Sequence, residues 1–166
     1  MKYQDGFIIS PNKTKAIIFT KKKLNSNTKT YLKINNTTSE VVDNIKFLGL
    51  HFDNKLNWNT HIDYIVAKCK KSLNLIRSLT SHKWGSNKKV LLIVYNSLIK
   101  SRMLYGSEIF HTASKKSLKK LDTLQYEALR ICSGAIKGTP LAALPQECGR
   151  LPLSIERNKI LYRHAN

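Results

Sequence analysis

The chain has 166 residues, of which 42% are hydrophobic, so its size suits one ordinary domain with its own core. It is too short to be a large multidomain enzyme by itself, so it is either a piece of one or a protein with a simpler role. Its 29 Lys and Arg residues against 10 Asp and Glu residues give a net charge of +19. This charge is far larger than solubility requires and indicates a polyanionic partner.

The positive charge is spread along the chain. Residues 1–35 and residues 54–89 each carry +7, which favours a basic face on a folded domain over a basic tail. A basic surface with no partner stays open as the alternative. The longest apolar run, residues 90–95, is far below the ~20 residues that span a bilayer, so we expect no membrane partner.

The first third of the sequence predicts β-structure. Alternating, β-branched segments favour strands at residues 16–20, 31–34, 40–42 and 45–53, with a turn at Asn35 and Asn36. The lysine-rich residues 21–29 are polar and predict a loop. Because the connections are short, we expect one small antiparallel sheet.

From residue 60 onward the apolar period becomes helical. Residues 60–80 predict an amphipathic helix whose apolar stripe is Ile62, Ile65, Val66, Cys69, Leu73 and Ile76. Residues 86–105 are apolar on nearly all sides and predict a central, buried helix that ends at Gly106.

A third helix is expected after Ser114, a residue type that caps helix N-termini. Its predicted stripe is Leu118, Leu121, Leu124, Ala128, Leu129 and Ile131, and its outer face holds Lys115, Lys116, Lys119, Lys120 and Arg130. Two shorter helices are predicted to start at Pro140 and Pro152, with Pro145 shortening the first. The fold class is therefore α+β, a small sheet followed by a helical bundle.

The chemistry-bearing residues do not form a catalytic pattern. Two-metal catalysis requires clustered carboxylates, and the acids here are scattered singly. Asp53 is predicted to accept hydrogen bonds in a turn, and Asp63 to be a charge at a helix N-terminus. The cysteines are predicted to be buried free thiols, and the histidines lack metal-ligand spacing: Cys69, Cys132, Cys148, His51, His61, His82 and His111.

The segment from Lys46 to Asp53 holds Gly49 within a predicted strand. A glycine there permits close approach of another backbone or a phosphate, or marks a β-bulge with no ligand, and spacing alone favours the bulge.

Several motifs, taken in order, resemble the reverse transcriptases of non-LTR (LINE-type, jockey-like) retrotransposons. The first are Ser10-Pro11-Asn12-Lys13-Thr14-Lys15 before Phe19, then Lys46-Phe47-Leu48-Gly49, Asp53 and Trp58. Those that follow are His61-Ile62, Trp84-Gly85, Tyr95, Tyr105-Gly106-Ser107, Ala113-Ser114, Leu121-Asp122, Gln125, Ala128-Leu129-Arg130, Gly134-Ala135, Thr139-Pro140, Glu147 and Gly149. Each motif is weak, but their order covers nearly the whole chain.

The resemblance implies a C-terminal fragment of such a polymerase. Residues 1–56 would be the end of the palm with the primer-grip hairpin, residues 57–137 a helical thumb, and residues 138–166 short connection helices. Pro145 departs from the family's helix-forming residues at that position. The family's catalytic aspartates have no counterpart here, so we expect this chain alone to be inactive, with no cofactor of its own and magnesium in the parent polymerase.

The implied role is the binding of nucleic acid. The implied partners are an RNA template, a DNA primer and the upstream palm and fingers of the parent polyprotein. The implied nucleic-acid-binding residues are Lys46, Phe47, Leu48 and Gly49 in the grip, Lys68, Lys70, Lys71, Arg77, Lys119 and Lys120 in the thumb, and Lys13 near the departing pyrophosphate. A plain surface lysine is the alternative at Lys13.

Two further expectations complete this interpretation. The location is intracellular, in the nucleus or in a cytoplasmic ribonucleoprotein. The alternative function is a non-catalytic RNA- or DNA-binding remnant or a domesticated retroelement protein.

Overall fold

The computed structural model describes residues 10, 14–21, 31–34, 37–80 and 87–165. The chain divides into two compact units, Met1–Trp58 and Asn59–Asn166. All described strands belong to the first unit and all described helices to the second. Within the described ranges, no helix is long and apolar enough to cross a membrane.

The described part of the first unit contains two pairs of antiparallel strands. Strand β1 (Tyr31–Ile34) pairs with β2 (Thr37–Glu40), and β3 (Asn44–Phe47) pairs with β4 (Leu50–Asp53). We expected one small sheet, but the described strands form two separate two-stranded sheets. The expected turn at Asn35 and Asn36 lies outside the described residues.

Residues 45–53 form a hairpin, so the prediction of one continuous strand is wrong. Phe47 pairs with Leu50, and the two residues between them both have positive φ, 45° at Leu48 and 83° at Gly49. Positive φ at both central positions is typical of a type I′ turn, whose twist matches that of paired strands. The chain therefore reverses at Leu48-Gly49.

Two other predicted strands also differ from the structure. Residues 16–20 form no strand, because only Ala16 joins a ladder, through one isolated parallel bridge to Val41. The strand expected at residues 40–42 instead ends at Glu40. The alternation pattern identified extended backbone here, but it did not identify which residues find a hydrogen-bonding neighbour.

Six α-helices are found among the described residues of the second unit. They are α1 (Asn59–Leu79), α2 (Lys88–Tyr95), α3 (Ser101–Leu104), α4 (Lys115–Ser133), α5 (Ala143–Glu147) and α6 (Leu153–Ala165). A π-helical turn (Asn96–Lys100) joins α2 to α3 without a break, and a 3-10 turn (Phe110–Thr112) precedes α4. Helix α1 and the segment from α2 to α3 begin and end within two residues of their predicted limits, and α4 begins directly after Ser114, as predicted.

The core lies where α1 and α2 pack against α4. Its fully buried side chains include Ile62, Leu73, Ile76, Tyr95, Ile99, Met103, Phe110, Leu121 and Leu129. The prediction that residues 86–105 are buried all round is wrong, because Val90 and Ile93 are 48% and 64% exposed. This helix therefore packs against the core on one side and is exposed on the other.

Local capping explains the limits of α4. The Ser114 hydroxyl accepts a hydrogen bond from the Ser117 amide (3.1 Å), as predicted. Gly134 ends the helix at φ 70°, a left-handed conformation that glycine adopts readily. The side-chain amide of Gln125 then holds the approach to α6, donating to the Leu151 carbonyl (3.0 Å) and accepting from the Leu153 amide (2.8 Å).

The two C-terminal helices pack on α4 and belong to the same compact unit as the helices before them. Helix α5 has only five residues and contains the buried Pro145. It starts three residues after Pro140, because residues 137–142 form turns instead of the predicted first helical turn. A separate connection at residues 138–166 therefore stays a prediction.

Candidate nucleic-acid interface

The tip of the β3–β4 hairpin presents an apolar pair to solvent. Phe47 is 60% exposed and Leu48 is 73% exposed, beside the exposed Lys46 and Gly49. A left-handed conformation costs a residue such as leucine about 1–2 kcal/mol, and asparagine or glycine would suit this turn better. An exposed leucine at a strained turn position is typical of a residue that contacts a partner.

The base of this hairpin is organised by the carboxylate of Asp53. Its Oδ1 accepts hydrogen bonds from the backbone amides of Lys55 (3.1 Å) and Asn57 (3.0 Å), and its Oδ2 accepts from Trp58 (2.8 Å). These bonds hold a loop in which Leu56 and Trp58 adopt positive φ, 53° and 63°. The prediction that Asp53 is a turn acceptor is confirmed.

Aromatic contacts anchor one strand of the hairpin. The ring of Phe52 makes edge contacts with Trp58, at 5.2 Å between centroids, and with Phe19, at 6.4 Å. On the same strand, burial and the positive charge of the cross-strand neighbour Lys46 lower the pKa of His51 below its usual value. The hairpin base is thus held by several contacts, while Phe47 and Leu48 at the tip are exposed to solvent.

In the helical unit, polar pairs join α1 to α4. Asn59 accepts from the Ser117 hydroxyl (2.5 Å), Asp63 pairs with Lys120 (2.6 Å), and Arg77 pairs with Glu127. The prediction that Asp63 is a charge at the helix N-terminus is wrong, because it lies beyond the first turn of α1 and binds a lysine of another helix.

The predicted thumb cations do not all lie together. Lys70 lies on the same helical stripe as Asp63 and Arg77, seven residues from each, and so faces the junction with α4. Lys68 and Lys71 are exposed and, at about 100° per residue, lie on other sides of α1 than Lys70. The Nζ atom of Lys68 lies 5.6 Å from the centroid of the Tyr64 ring.

On α4, the two predicted cations differ in the same way. Lys120 is held in the junction by Asp63, whereas Lys119 is exposed on the outer side of the helix. Of the six predicted thumb cations, Arg77 and Lys120 thus enter ion pairs. The remaining predicted lysine, Lys13, lies outside the described residues.

Two lysines that the prediction of the interface omitted belong to the same surface. Lys115 and Lys116 are exposed in the first turn of α4 and make no ion pair with any described residue. Together α1 and α4 carry nine Lys and Arg residues and three Asp and Glu residues. Their outer surface, the α1/α4 basic face, therefore keeps a clear excess of positive charge although two of its cations are paired.

Catalytic and metal sites are not evident in the part of the chain that the structure describes. No three His, Cys, Asp or Glu residues there lie close enough to hold a metal ion. The three cysteines are free and buried, as predicted. Burial raises the pKa of Cys69 and of Cys132 to about 11, so these thiols stay protonated and unreactive.

Comparison with known proteins adds the context of relatives. No protein-family model and no solved structure matches the chain. It is 24% identical over 112 residues to a retrovirus-related Pol polyprotein from type-1 retrotransposable element R1 4 of Nasonia vitripennis, which covers 68% of this chain. It is 25% identical over 136 residues, 80% of this chain, to a probable RNA-directed DNA polymerase from transposon BS of Drosophila melanogaster.

A further match, 28% identical over 90 residues and 54% of this chain, is the RNA-directed DNA polymerase from mobile element jockey of the same fly. The chain is thus similar to Pol polyproteins and RNA-directed DNA polymerases of non-LTR retrotransposons. The resemblance inferred from the motifs is thus confirmed. The chain spans only a small part of those proteins, 29%, 15% and 10% of their lengths in these three matches.

Proposed function

We propose that this chain is the end of the palm and the thumb of a non-LTR retrotransposon reverse transcriptase, and that it binds and positions the duplex of RNA template and DNA primer. The relatives' names, which include RNA-directed DNA polymerase, support the choice of partner. The observation that carries the proposal is the excess of cations on the α1/α4 basic face.

The helical unit would follow the phosphate backbone of the duplex. Lys70, Lys71, Lys115, Lys116 and Lys119 are available for phosphate contacts, since none is ion-paired with a described residue. Such contacts carry little sequence information. An RNA–DNA hybrid is close to A-form, so its shape and phosphates are what a helical surface recognises.

The hairpin would contact the end of the primer. Phe47 and Leu48 offer apolar surface to the terminal base pair, and the backbone amides near Gly49 would orient the terminal phosphates and the 3′ hydroxyl. This is positioning and not bond making. The described acids do not fit a magnesium pair, so the metal and its aspartates would belong to the palm and fingers of the parent polyprotein.

Duplex binding in a salt series tests the proposal. The double variant Lys70→Ala/Lys71→Ala should weaken binding of an RNA–DNA hybrid about tenfold and reduce the log-log salt slope by about two. The matched control Lys89→Ala/Lys137→Ala removes the same charge from exposed positions outside α1 and α4 and should change affinity less than about twofold. A flat salt dependence, or equal loss in both variants, would contradict the proposal.

Primer extension separates a polymerase part from a non-catalytic binding remnant. With magnesium, the purified chain should incorporate no nucleotide by itself. Palm and fingers of a related element, supplied in trans, should extend a primer only when this chain is added. Binding without any such rescue would instead favour the remnant or domesticated protein.

A further inference from the structure

The helical unit has a second basic surface, which is formed by α3 and α6 and not by α1 and α4. It is a groove of about 290 Å³ between α3 and α6. Its apolar lining comes from Leu104, Leu151 and Ile160, and its cationic rim from Lys159 and Arg163. Both rim residues are exposed, and neither makes an ion pair with a described residue.

The carboxylate of Glu156 lines this groove and is held in an ion pair. Glu156 pairs with Lys100 at 2.7 Å, and their side chains are only 13% and 23% exposed. Because the lysine neutralises it, this carboxylate does not repel an incoming anion, and its remaining lone pairs can still accept hydrogen bonds. The groove thus offers apolar surface, two free cations and one acceptor.

The backbone around Lys100 is unusual as well. Lys100 is the last residue of the π-helical turn between α2 and α3. Single π turns inserted in α-helices occur frequently at functional sites. Here the turn lets Ile99 stay buried while the next residue reaches the Glu156 carboxylate at the groove.

We infer that this groove binds an unpaired nucleotide of single-stranded RNA, a partner that rests on the proposed nucleic-acid-binding function. A duplex presents phosphates and leaves an apolar floor unused, whereas an unpaired nucleotide presents a base face and a phosphate together. The base lies on Leu104, Leu151 and Ile160, and the phosphate binds Lys159 and Arg163. Glu156 accepts a hydrogen bond from the 2′ hydroxyl, which DNA lacks.

Fluorescence anisotropy on the full chain tests this assignment with three probes. They are a labelled single-stranded RNA of about ten nucleotides, DNA of the same sequence, and an RNA–DNA hybrid. Lys159→Ala/Arg163→Ala should weaken the single-stranded RNA about tenfold and the hybrid less than about twofold. Lys70→Ala/Lys71→Ala, on the α1/α4 basic face, should show the opposite pattern.

A charge-neutral variant tests the base contact. Ile160→Gln should weaken the single-stranded RNA about threefold with an unchanged salt slope, since no phosphate contact is lost. Should this change loosen α6, the exposed pair Lys159→Ala/Arg163→Ala still decides the question. The unchanged protein should bind the RNA about threefold more tightly than the DNA, because only RNA offers the 2′ hydroxyl.

Three outcomes would overturn the inference: equal weakening of RNA and hybrid in Lys159→Ala/Arg163→Ala, no effect of a folded Ile160→Gln, or equal affinity for RNA and DNA. None of these three outcomes affects the test of duplex binding by the α1/α4 basic face. If Lys70→Ala/Lys71→Ala leaves hybrid binding unchanged while the groove variants lose RNA, the proposed duplex role fails instead.

Discussion

The substitution Asp53→Ala should release the loop at the base of the β3–β4 hairpin. Asp53 is the acceptor for three backbone amides, those of Lys55, Asn57 and Trp58. Without the carboxylate these amides must find water, and the loop in which Leu56 and Trp58 have positive φ loses three of the bonds that hold it. We expect the loop to open locally while the strands of the hairpin stay paired.

The size of the effect follows from the three bonds. The two bonds to Oδ1 are exposed and should contribute about 0.5–1 kcal/mol each, and the shorter, partly buried bond from Trp58 about 1 kcal/mol. The free energy of local opening should therefore fall by about 2–3 kcal/mol. Since 1.4 kcal/mol is a factor of ten, amide exchange should accelerate about 30-fold to 150-fold.

Amide hydrogen exchange measured by NMR resolves this change residue by residue. The control Asp43→Ala removes a carboxylate that accepts only from the Asn54 side chain among the described hydrogen bonds, and it should leave the amides of Lys55, Asn57 and Trp58 unchanged. Asp53→Asn, which keeps a neutral oxygen, should be intermediate. If the exchange rates of these amides in Asp53→Ala stay within about threefold of the wild-type rates, the reasoning is refuted.

The remaining predictions concern stability and thiol chemistry. Arg157, 9% exposed, places Nη1 2.9 Å from Oδ1 of Asp122, so Arg157→Met should lower the free energy of unfolding by about 2 kcal/mol. In urea denaturation this loss should be non-additive with Asp122→Asn, and strict additivity would argue against the pair. Because burial raises the pKa of Cys69 and Cys132 to about 11, against an ordinary 9.0, both thiols should react with maleimide about 100-fold more slowly than in the denatured chain. Comparable rates before and after denaturation would contradict their burial. The pKa of His51 is lowered by burial and by a neighbouring lysine, so the unfolded chain takes up the proton more readily and stability should fall as the pH drops below about 6.5. In His51→Gln the free energy of unfolding should fall less as the pH drops. If it falls as steeply as in the wild-type protein, other groups cause the loss.

The helical unit could be predicted closely because its determinants are local. Ser114, Gly134 and Pro152 act on their own helix ends, and a stripe of apolar residues at helical spacing defines the buried side of α1. In the first unit, the strand propensity of a segment does not determine which other segment it pairs with. Residues 16–20 have strand-like composition but meet only one bridging neighbour, Val41.

The candidate interface was predictable in composition but not in arrangement. Nothing local to Lys120 or Arg77 shows that an acid of the facing helix neutralises it, since Asp63 and Glu127 are more than 45 residues away from their partners. The seven-residue spacing of Asp63, Lys70 and Arg77 was the available indication of a shared stripe. The α3–α6 groove depends wholly on how distant segments pack.

The π-helical turn gives the α2–α3 helix a place where the chain can lose one residue, which a regular helix lacks. A π turn closes its hydrogen bond over one residue more than an α turn does. An in-frame deletion of one codon within Asn96–Lys100 would convert it into a regular α-helical turn. The side chains that follow would keep their directions, so Met103 would stay in the interior and Arg102 would stay near the Ser72 hydroxyl. The same deletion in the regular helix α4 would rotate everything after it by about 100°. We therefore expect sequences that share this packing to vary in length at the π turn and to resist changes in spacing within the long helices.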